Sequence, residues 1–503
     1  MTDFIAADIL RGYVTTASYR PQVVSLYADN PLIEALPEIL SEDDFIQQAT
    51  YLPPFDPDDR LLPTAYRLHT VMTLTEIFQP LSQHIDLEQR FSRVIRMGYR
   101  RRNPQQPNFW QQVNDDVQTL REQIENKTVP PLTRTNMLGF TMLGISGIGK
   151  TAATEAVLAT YPQIIRHHRY REQPFHWTQV VWLKLDCPYD SSTKGLCINF
   201  FVALDNLLQT RYYHTYARDG RATVNEMLPS IARLAFTHSI GVLVIDEVQR
   251  LSTARSGGAE KMLNFFVQVI NTIGLPIVLV GTPRARAFLS ADFAQIRRAS
   301  SQGAMLWHPL SPNLEWELVM ETLWSYQYLS EFTPLTPILR QRIFTESAGI
   351  IDFAIKLYLL TQIRAISHEL PNITEDLLVT VARECFSEAQ PMLDALRRND
   401  QQALQNYDDI QMVDPHVYAQ QVSEEMRQQR VQRLLTHQAQ RSAPDTSLPR
   451  IKRQTATIPS DESLVAIGTG AKAQGSNPYA ALQAAGYLRP LSEFADVTSD
   501  SAL

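Results

Sequence analysis

The string Gly144-Ile145-Ser146-Gly147-Ile148-Gly149-Lys150-Thr151 restricts the fold more than any other feature of this sequence. It follows an apolar run at 138–143 that is typical of a buried strand, and it opens a helix-period pattern. In this order, glycines let backbone N–H groups turn inward around a phosphate at the helix N-terminus. Lys150 adds positive charge at the outer phosphates, and the Thr151 hydroxyl is a ligand for Mg²⁺.

The spacing therefore predicts a P-loop that binds ATP with Mg²⁺. The residues expected to hold the nucleotide are Gly144, Ser146, Gly147, Ile148, Gly149, Lys150 and Thr151. The alternative interpretation is a glycine-rich turn that binds no ligand.

Short apolar runs alternate with helical patterns from about residue 136 onward. The runs lie at 138–143, 180–185, 242–245 and 277–280. Strands that are apolar on both faces belong to parallel sheets with helices on both sides, so we expect an α/β core at 136–312.

Helical patterns flank this core. They predict a helical N-terminal region at 1–135 and a small helical lid at 313–390. The expected lid helices lie near 313–328, 337–347, 351–366 and 374–386. The C-terminal region at 391–503 is rich in Gln at 401–440, where we expect one long helical stretch, and in Ser, Thr, Ala, Gly and Pro at 441–503, which predicts that about the last 60 residues are a flexible tail.

An acidic pair follows the apolar run at 242–245. Asp246 is expected to hold Mg²⁺, directly or through water, as the acidic Walker B residue. Glu247 is expected to be the general base that polarises the attacking water, because strand alternation would aim it away from Asp246. Hydrolysis rather than binding alone would follow. Alternatively, the pair caps the next helix.

Three further residues are candidates for contacts with the outer phosphate. Thr282 follows the run at 277–280, at the strand end where ligands of open α/β sheets bind, although a helix-capping turn would have the same sequence. Arg297, favoured over Arg298, would reach the ATP of a neighbouring subunit as an arginine finger, unless it is a solvated helix charge. Lys356 would sense the phosphate charge from the lid, unless it is a surface lysine.

These motifs together resemble those of the AAA+ ATPases, whose fold is a P-loop core of parallel strands flanked by helices, with a C-terminal helical lid. Over about residues 45–385, further strings resemble the TnsC/TniB family of transposition regulators. The strings are Met97-Gly98-Tyr99 with Asn103-Pro104, Leu185-Asp186-Cys187-Pro188, Ser192-Thr193-Lys194-Gly195-Leu196, Ile245-Asp246-Glu247-Val248-Gln249-Arg250-Leu251 and Val280-Gly281-Thr282-Pro283.

The resemblance implies an ATP-dependent protein that polymerises as rings or helical filaments on double-stranded DNA. Such a homo-oligomer connects a target selector of the TnsD/TniQ kind with transposase subunits of the TnsA/TnsB kind, and ATP hydrolysis drives its disassembly. A different class remains open, namely a signalling or scaffold NTPase related to immune switch ATPases, which binds proteins and not DNA. A small-molecule P-loop kinase is disfavoured, because the helical flanks offer no evident acceptor pocket.

Candidate DNA contacts are Lys194, Arg221 and Thr223. They lie in two loops that a ring of this family would turn toward its pore, where cations and small donors contact phosphates. Alternatively, both loops only cap helices. Six arginines between Arg90 and Arg102 would face DNA or a target selector, or would form a solvated face or pair with acidic neighbours.

Composition limits the remaining possibilities. Hydrophobic residues make up 44% and charged residues 20% of the 503 residues, which excludes a disordered or disulfide-scaffold chain. No apolar run approaches the roughly 18 residues of a membrane span, so we expect a cytoplasmic protein without membrane contacts. The net charge of -7 requires any DNA contact to come from local basic clusters. His167-His168 lacks companions at metal-ligand spacing and is interpreted as a surface pair.

Overall fold

The computed structural model of this chain describes most of its residues. The described ranges are 11–126, 139–189, 192–253, 274–285, 303–398, 400–404, 413–442 and 464–484. The chain divides into two units, Met1–Arg430 and Val431–Leu503.

Two sheets are present in the described part of the first unit. Their strands are β1 (Val14–Thr16), β2 (Gly139–Gly144), β3 (Ile164–Tyr170), β4 (Gln173–Val180), β5 (Trp182–Asp186), β6 (Val242–Asp246), β7 (Ile277–Gly281) and β8 (Ala304–Trp307). The central sheet is parallel and has the order β5-β6-β7-β2-β8. The predicted α/β core with a parallel sheet is therefore confirmed.

Successive residues of the central strands enter two different cores. In β6, Val242 and Val244 belong to one hydrophobic cluster, whereas Leu243 and Ile245 belong to the other. This alternation follows from the pleat, which points successive side chains to opposite faces of the sheet. Both faces are covered by helices, which is why the strands have no polar face.

The helices that cover the sheet come from the N-terminal region and from the core itself. Ser82–Arg100 and Lys150–Ala159 supply apolar side chains to the first cluster, and Phe109–Glu125, Thr193–Leu208 and Val224–Thr237 supply them to the second. The N-terminal region also contains the short helices Pro31–Glu34, Glu42–Ala49 and Thr64–Thr70.

Four helices follow the sheet at the positions expected for the lid. They are Leu314–Ser325, Pro337–Ser347, Ile351–Ser367 and Glu375–Cys385, each within a few residues of its predicted range. Asn313, Thr336 and Thr374 cap three of them by accepting a backbone N–H with the side chain. The cap residues explain why sequence patterns located these boundaries well.

The second sheet was not predicted. β3 and β4 form an antiparallel hairpin with β1 on its far edge, so the helical N-terminal region also contributes a strand. The interpretation of His167 as a surface residue is wrong, since it is only 2% exposed. Its Nε2 donates to Oε1 of Gln179, and its Nδ1 accepts from the Tyr19 hydroxyl, each at 2.8 Å. Burial lowers the pKa of His167 to about 4.

The region at 391–503 contains helices where the structure describes it, both in the part at 401–440 that was expected to be helical and in about the last 60 residues, which were expected to be a flexible tail. These helices are Gln390–Arg397, Gln401–Leu404, Pro415–Ser442, Leu464–Ala473 and Pro478–Ala484. None of the helices in the described ranges is both long and apolar enough to cross a membrane. The thiols of Cys187, Cys197 and Cys385 are buried and form no disulfide, as expected.

Candidate active site

The loop between β2 and the helix Lys150–Ala159 has the backbone of a phosphate-binding loop. Gly147 and Gly149 have φ values of 76° and 93°, in the left-handed region that favours glycine. Gly149 is the N-cap of the helix, so its left-handed conformation turns the chain directly into the first helical turn. The exposed N–H groups of that turn and the helix dipole favour an anion in front of the loop.

Lys150 lies beneath this loop and is 8% exposed. Its Nζ donates to the carbonyl oxygens of Gly144 and Ile145, at 2.8 and 2.9 Å. The ammonium group is thus held at the start of the loop that it would serve, where β2 ends.

Thr151 and Asp246 meet at the carboxyl end of the sheet. The Thr151 hydroxyl donates to Oδ2 of Asp246 at 2.9 Å, and the backbone N–H of Glu247 donates to Oδ1 at 2.8 Å. Asp246 is 2% exposed. A hydroxyl and a carboxylate are hard oxygen ligands, so this pair fits Mg²⁺. The structure brings together the two residues predicted as metal ligands.

A lysine that the sequence analysis did not select completes this cluster. Lys184 on β5 lies 3.2 Å from Glu155, 3.6 Å from Asp186 and 3.5 Å from Oδ2 of Asp246. Burial disfavours its charged form, but the three carboxylates outweigh burial and raise the pKa of Lys184. A single charge inside the apolar run at 180–185 was the signal that could have identified it.

Glu247 reaches the cleft by a route that the sequence analysis did not foresee. β6 ends at Asp246, so strand alternation does not orient the next residue. Instead Glu247 adopts a left-handed conformation with φ 59°, a costly backbone state that often marks functional sites. Its Oε2 accepts from Nε2 of Gln249 at 2.8 Å and lies 3.5 Å from Nη2 of Arg250.

Thr282 lies on the neighbouring strand end, between the loop and the acidic pair. It is 3% exposed, and its hydroxyl has no hydrogen-bond partner among the described residues. A buried hydroxyl without a partner is unusual and marks a position where a ligand oxygen would satisfy it. Its backbone N–H donates to Oε1 of Gln249 at 3.0 Å.

These residues line one cleft of about 200 Å³. Its walls are Ser146, Gly147, Gly149, Lys150, Thr151, Ala152, Glu247, Gln249, Thr282 and Asp352. Asp352 comes from the lid helix Ile351–Ser367, and its backbone N–H donates to the carbonyl oxygen of Gly147 at 3.3 Å. Lys356, predicted to sense phosphate, is one helical turn away and donates to Oδ2 of Asp352 at 2.9 Å. It does not itself line the cleft.

A second pocket of about 70 Å³ lies on the apolar side of the P-loop and was not predicted. It is lined by Ile77, Phe78, Gln79, His84, Ile148, Gly149, Val319, Thr322, Leu323, Ile351 and Ile355. His84 packs against Phe78 and Trp307, and its Nδ1 accepts from the backbone N–H of Leu81 at 2.9 Å. Burial, partly offset by Glu315, lowers the pKa of His84 to about 4, so the imidazole is neutral at pH 7.

The candidate DNA residues lie at helix starts. Lys194 is in the first turn of the helix Thr193–Leu208, where Ser192 is the cap. Thr223 caps the helix Val224–Thr237 in a capping box, and its hydroxyl donates to Glu226 at 2.9 Å. Arg221 is exposed two residues earlier. The capping alternative therefore describes the local structure of both loops, whereas the contact with DNA stays a prediction.

The arginine run at 90–102 is not one solvated face. Arg96 is 1% exposed and Arg102 is 3% exposed, and both donate to backbone carbonyl groups of other segments, at Pro37 and Ile240. Burial lowers the pKa of Arg102 to about 10. Arg90 pairs with Asp86 at 3.0 Å. Arg297 and Arg298 lie outside the described residues.

Residues 139–289 match the family model of the AAA domain. Among solved structures, the Walker-type ATPase PABY2304 of Pyrococcus abyssi is similar at 15% identity, over 57% of this chain and 76% of that chain, with a TM-score of 0.34. The ORC1 protein of Aeropyrum pernix in complex with DNA has 14% identity over 58% and 71% of the two chains, with a TM-score of 0.34. Drosophila ORC bound to DNA has 12% identity over 67% and 87%, with a TM-score of 0.31. No curated protein matches the chain. The chain therefore contains an AAA-type P-loop ATPase domain, built on the parallel sheet β5-β6-β7-β2-β8.

Proposed function

We propose that this protein hydrolyses ATP to ADP and phosphate. The observation that carries the proposal is the hydrogen bond of 2.9 Å between Thr151 and Asp246, with Glu247 and Thr282 lining the same cleft. Binding of Mg²⁺ with ATP would already use Thr151 and Asp246, whereas the second carboxylate that faces the cleft, Glu247, is needed only for attack by water.

Each residue has a distinct task in this reaction. The N–H groups of 147–151 and the Lys150 ammonium hold the phosphates and balance the charge that develops on them. Mg²⁺, held by Thr151 and Asp246, would neutralise charge on the phosphate oxygens. Glu247 orients a water molecule and accepts its proton as the oxygen attacks the terminal phosphorus. The Thr282 hydroxyl donates to the terminal phosphate or to the water.

The apolar pocket beside the loop provides a site for the base of the nucleotide. Ile148 and Gly149 belong to the loop, while Ile351 and Ile355 belong to the lid. A flat base would bury its faces against these side chains. The lid would then contact both the base and, through Asp352, the loop that holds the phosphates.

The finer proposal is an ATP-dependent regulator of DNA transposition. It is supported by the sequence strings that resemble the TnsC/TniB family, which extend well beyond the P-loop and the acidic pair. In this proposal the protein assembles on double-stranded DNA, with Lys194, Arg221 and Thr223 contacting phosphates and Arg297 completing the ATP site of a neighbouring copy. The assembly links a target selector to transposase subunits, and hydrolysis releases it.

Three measurements test these proposals separately. Purified protein should release phosphate from ATP, and a phosphorylated metabolite instead of free phosphate would indicate a kinase. Binding to a fluorescent DNA duplex, measured with and without a non-hydrolysable ATP analogue, should be cooperative, nucleotide-dependent and steeply weakened by salt. Hydrolysis without any duplex binding would favour the signalling or scaffold class. Negative-stain images of the same samples should contain rings or filaments only when nucleotide and duplex are both present.

A further inference from the structure

Gln249 joins the two residues that the proposed hydrolysis places on either side of the attacking water. Its Nε2 donates to the Glu247 carboxylate at 2.8 Å, and its Oε1 accepts from the backbone N–H of Thr282 at 3.0 Å. The side chain is 6% exposed and lines the cleft. One amide group therefore connects the turn after β6 with the end of β7.

The orientation of this amide follows from its partners. A backbone N–H is only a donor, so the atom that faces Thr282 must be the oxygen. The nitrogen must then face Glu247, where an ionised carboxylate is only an acceptor. Both partners impose the same orientation, so the Gln249 amide can make these two hydrogen bonds in only one way. The bond from its nitrogen restricts the direction in which the Glu247 carboxylate points.

Gly281 makes room for this connection. A Cβ atom at position 281 would lie 2.8 Å from Oε1 of Gln249 and 2.6 Å from Cγ2 of Val248. Val248 is fully buried, so it cannot move aside easily. Any side chain at 281 would therefore push the turn at 248–253 away from β7 and separate Gln249 from the Thr282 amide.

We propose that Gln249 is a positioning residue. It fixes the position of the Glu247 carboxylate relative to Thr282, whose hydroxyl lines the same cleft, and it can do so because Gly281 leaves room for its side chain. This inference rests on the proposed ATP hydrolysis. Glu247 sits in a left-handed turn, and its carboxylate also lies near Arg250, so its direction depends on these contacts rather than on a regular strand. Gln249 couples the direction of the Glu247 carboxylate, the proposed general base, to the position of β7, and Gln249 itself does not contact the bond that is broken.

The central test compares two substitutions of Gln249 in the full-length protein. Gln249→Met keeps the volume and loses both hydrogen bonds, whereas Gln249→Glu keeps the acceptor for Thr282 and loses the donor to Glu247. Both variants should lower kcat about 10- to 100-fold while the Kd for a fluorescent ATP analogue stays within about twofold, because the loss is in orientation and not in phosphate binding. Gln179→Met is the matched control, since Gln179 is also fully buried and bonded at both ends, to His167 and Leu32.

Amide hydrogen exchange gives a second readout that does not require turnover. The peptide containing Thr282 should exchange faster in Gln249→Met and at the wild-type rate in Gln249→Glu. Gly281→Ala should reproduce the loss of kcat, and the double variant with Gln249→Met should be no slower than the slower single variant, because both changes break the same link.

The possible results separate the inference from the function on which it rests. A wild-type protein without ATPase activity would overturn the proposed hydrolysis, whereas unchanged exchange at Thr282 in Gln249→Met would overturn the link regardless of activity. If Gln249→Met does not fold, Gln249→Glu decides, and a wild-type kcat in that variant would overturn the positioning role. A parallel fall of kcat in Gln179→Met would show that any buried glutamine has this effect, and would also overturn it.

Discussion

The nucleotide cleft and the two helix-start loops at 192–195 and 218–223 use similar residues in opposite ways. In the cleft, Lys150 and Asp246 are buried: Lys150 donates to the loop backbone, and Asp246 accepts from the hydroxyl of Thr151, which is itself exposed. In the loops, Arg221 and Thr223 are exposed, and the Thr223 hydroxyl only serves its own helix.

The comparison teaches that a cluster of buried, paired polar groups indicates a function more strongly than an exposed polar loop does. A buried polar group is costly unless it is paired, so the interlocking of the cleft residues requires a reason, which a phosphate and a metal ion provide. An exposed polar group is satisfied by water, so its position in a loop fits both a simple cap and a DNA contact.

Lys150→Ala should reduce kcat/KM for ATP by at least about 10⁴-fold, because the ammonium both binds the phosphates and stabilises the developing charge. Nucleotide titration and phosphate release measure the two contributions. Lys194→Ala is the control, as it removes a lysine at a helix start outside the cleft. If the two lysine variants lose ATP affinity equally, the contrast between the regions disappears.

Glu247→Gln should lower kcat about 10³-fold while ATP affinity is retained, because the amide cannot accept the proton from water. The variant should also remain assembled on DNA for longer, since hydrolysis no longer releases it. Single-turnover phosphate release measures the first effect and dissociation from a duplex the second. Glu172→Gln, in the exposed hairpin turn, should behave as the wild type.

Acid should destabilise the protein partly through His84. Its folded pKa of about 4 lies below the usual value of 6.5, so the neutral form contributes stability above pH 6.5 that is lost as the pH falls toward 4. The free energy of unfolding should fall by about 3 kcal/mol more in the wild type than in His84→Gln, which keeps an acceptor for Leu81. Urea unfolding between pH 7 and 4 measures this difference. An equal pH dependence in both proteins would mean that water reaches His84 in the apolar pocket, which contradicts its burial. His168→Gln, at an exposed position, is the control.

Arg221→Ala and Lys194→Ala should each weaken binding to duplex DNA and reduce the salt slope by about 1, whatever the sequence of the duplex. Fluorescence anisotropy at several salt concentrations, with a non-hydrolysable ATP analogue, measures the slope. Arg169→Ala removes an exposed arginine that pairs with Glu172 and serves as the control. Unchanged slopes in both variants would leave these loops with their capping role alone.

Thr223→Ala should cost about 1 kcal/mol of unfolding free energy through loss of the helix cap. Thr237→Ala, at the other end of the same helix, should cost less, because its hydroxyl bonds only to the carbonyl of Arg233 within the helix. Chemical denaturation compares the two variants. If Thr223→Ala loses more DNA affinity than its loss of stability explains, this hydroxyl has a second role in contacting DNA.

Much of the fold was accessible from the sequence because local rules govern it. Strand runs with no polar face, the glycines at 147 and 149 and the cap residues before the lid helices each act within a few residues of chain. The run at 180–185 was predicted as one strand less accurately, since β4 ends at Val180 and β5 begins only at Trp182. The hairpin of β3 and β4 was missed because its strands alternate charged and buried residues irregularly, around a bulge between His167 and Arg169.

The residues proposed to bind phosphate therefore follow from the sequence alone, because a loop that wraps an anion needs glycines, a cation and a hydroxyl at fixed spacing along one stretch of chain. Their companions do not. Lys184 and Asp352 reach the site from different parts of the chain, and Gln249 meets the backbone of Thr282 across two neighbouring strand ends, so only the packing of strands and lid makes these contacts. The same holds for His167, whose neighbours Tyr19 and Gln179 make it an interior residue. Spacing along the chain encodes contacts within one turn or loop, whereas contacts between distant segments depend on how the hydrophobic faces pack.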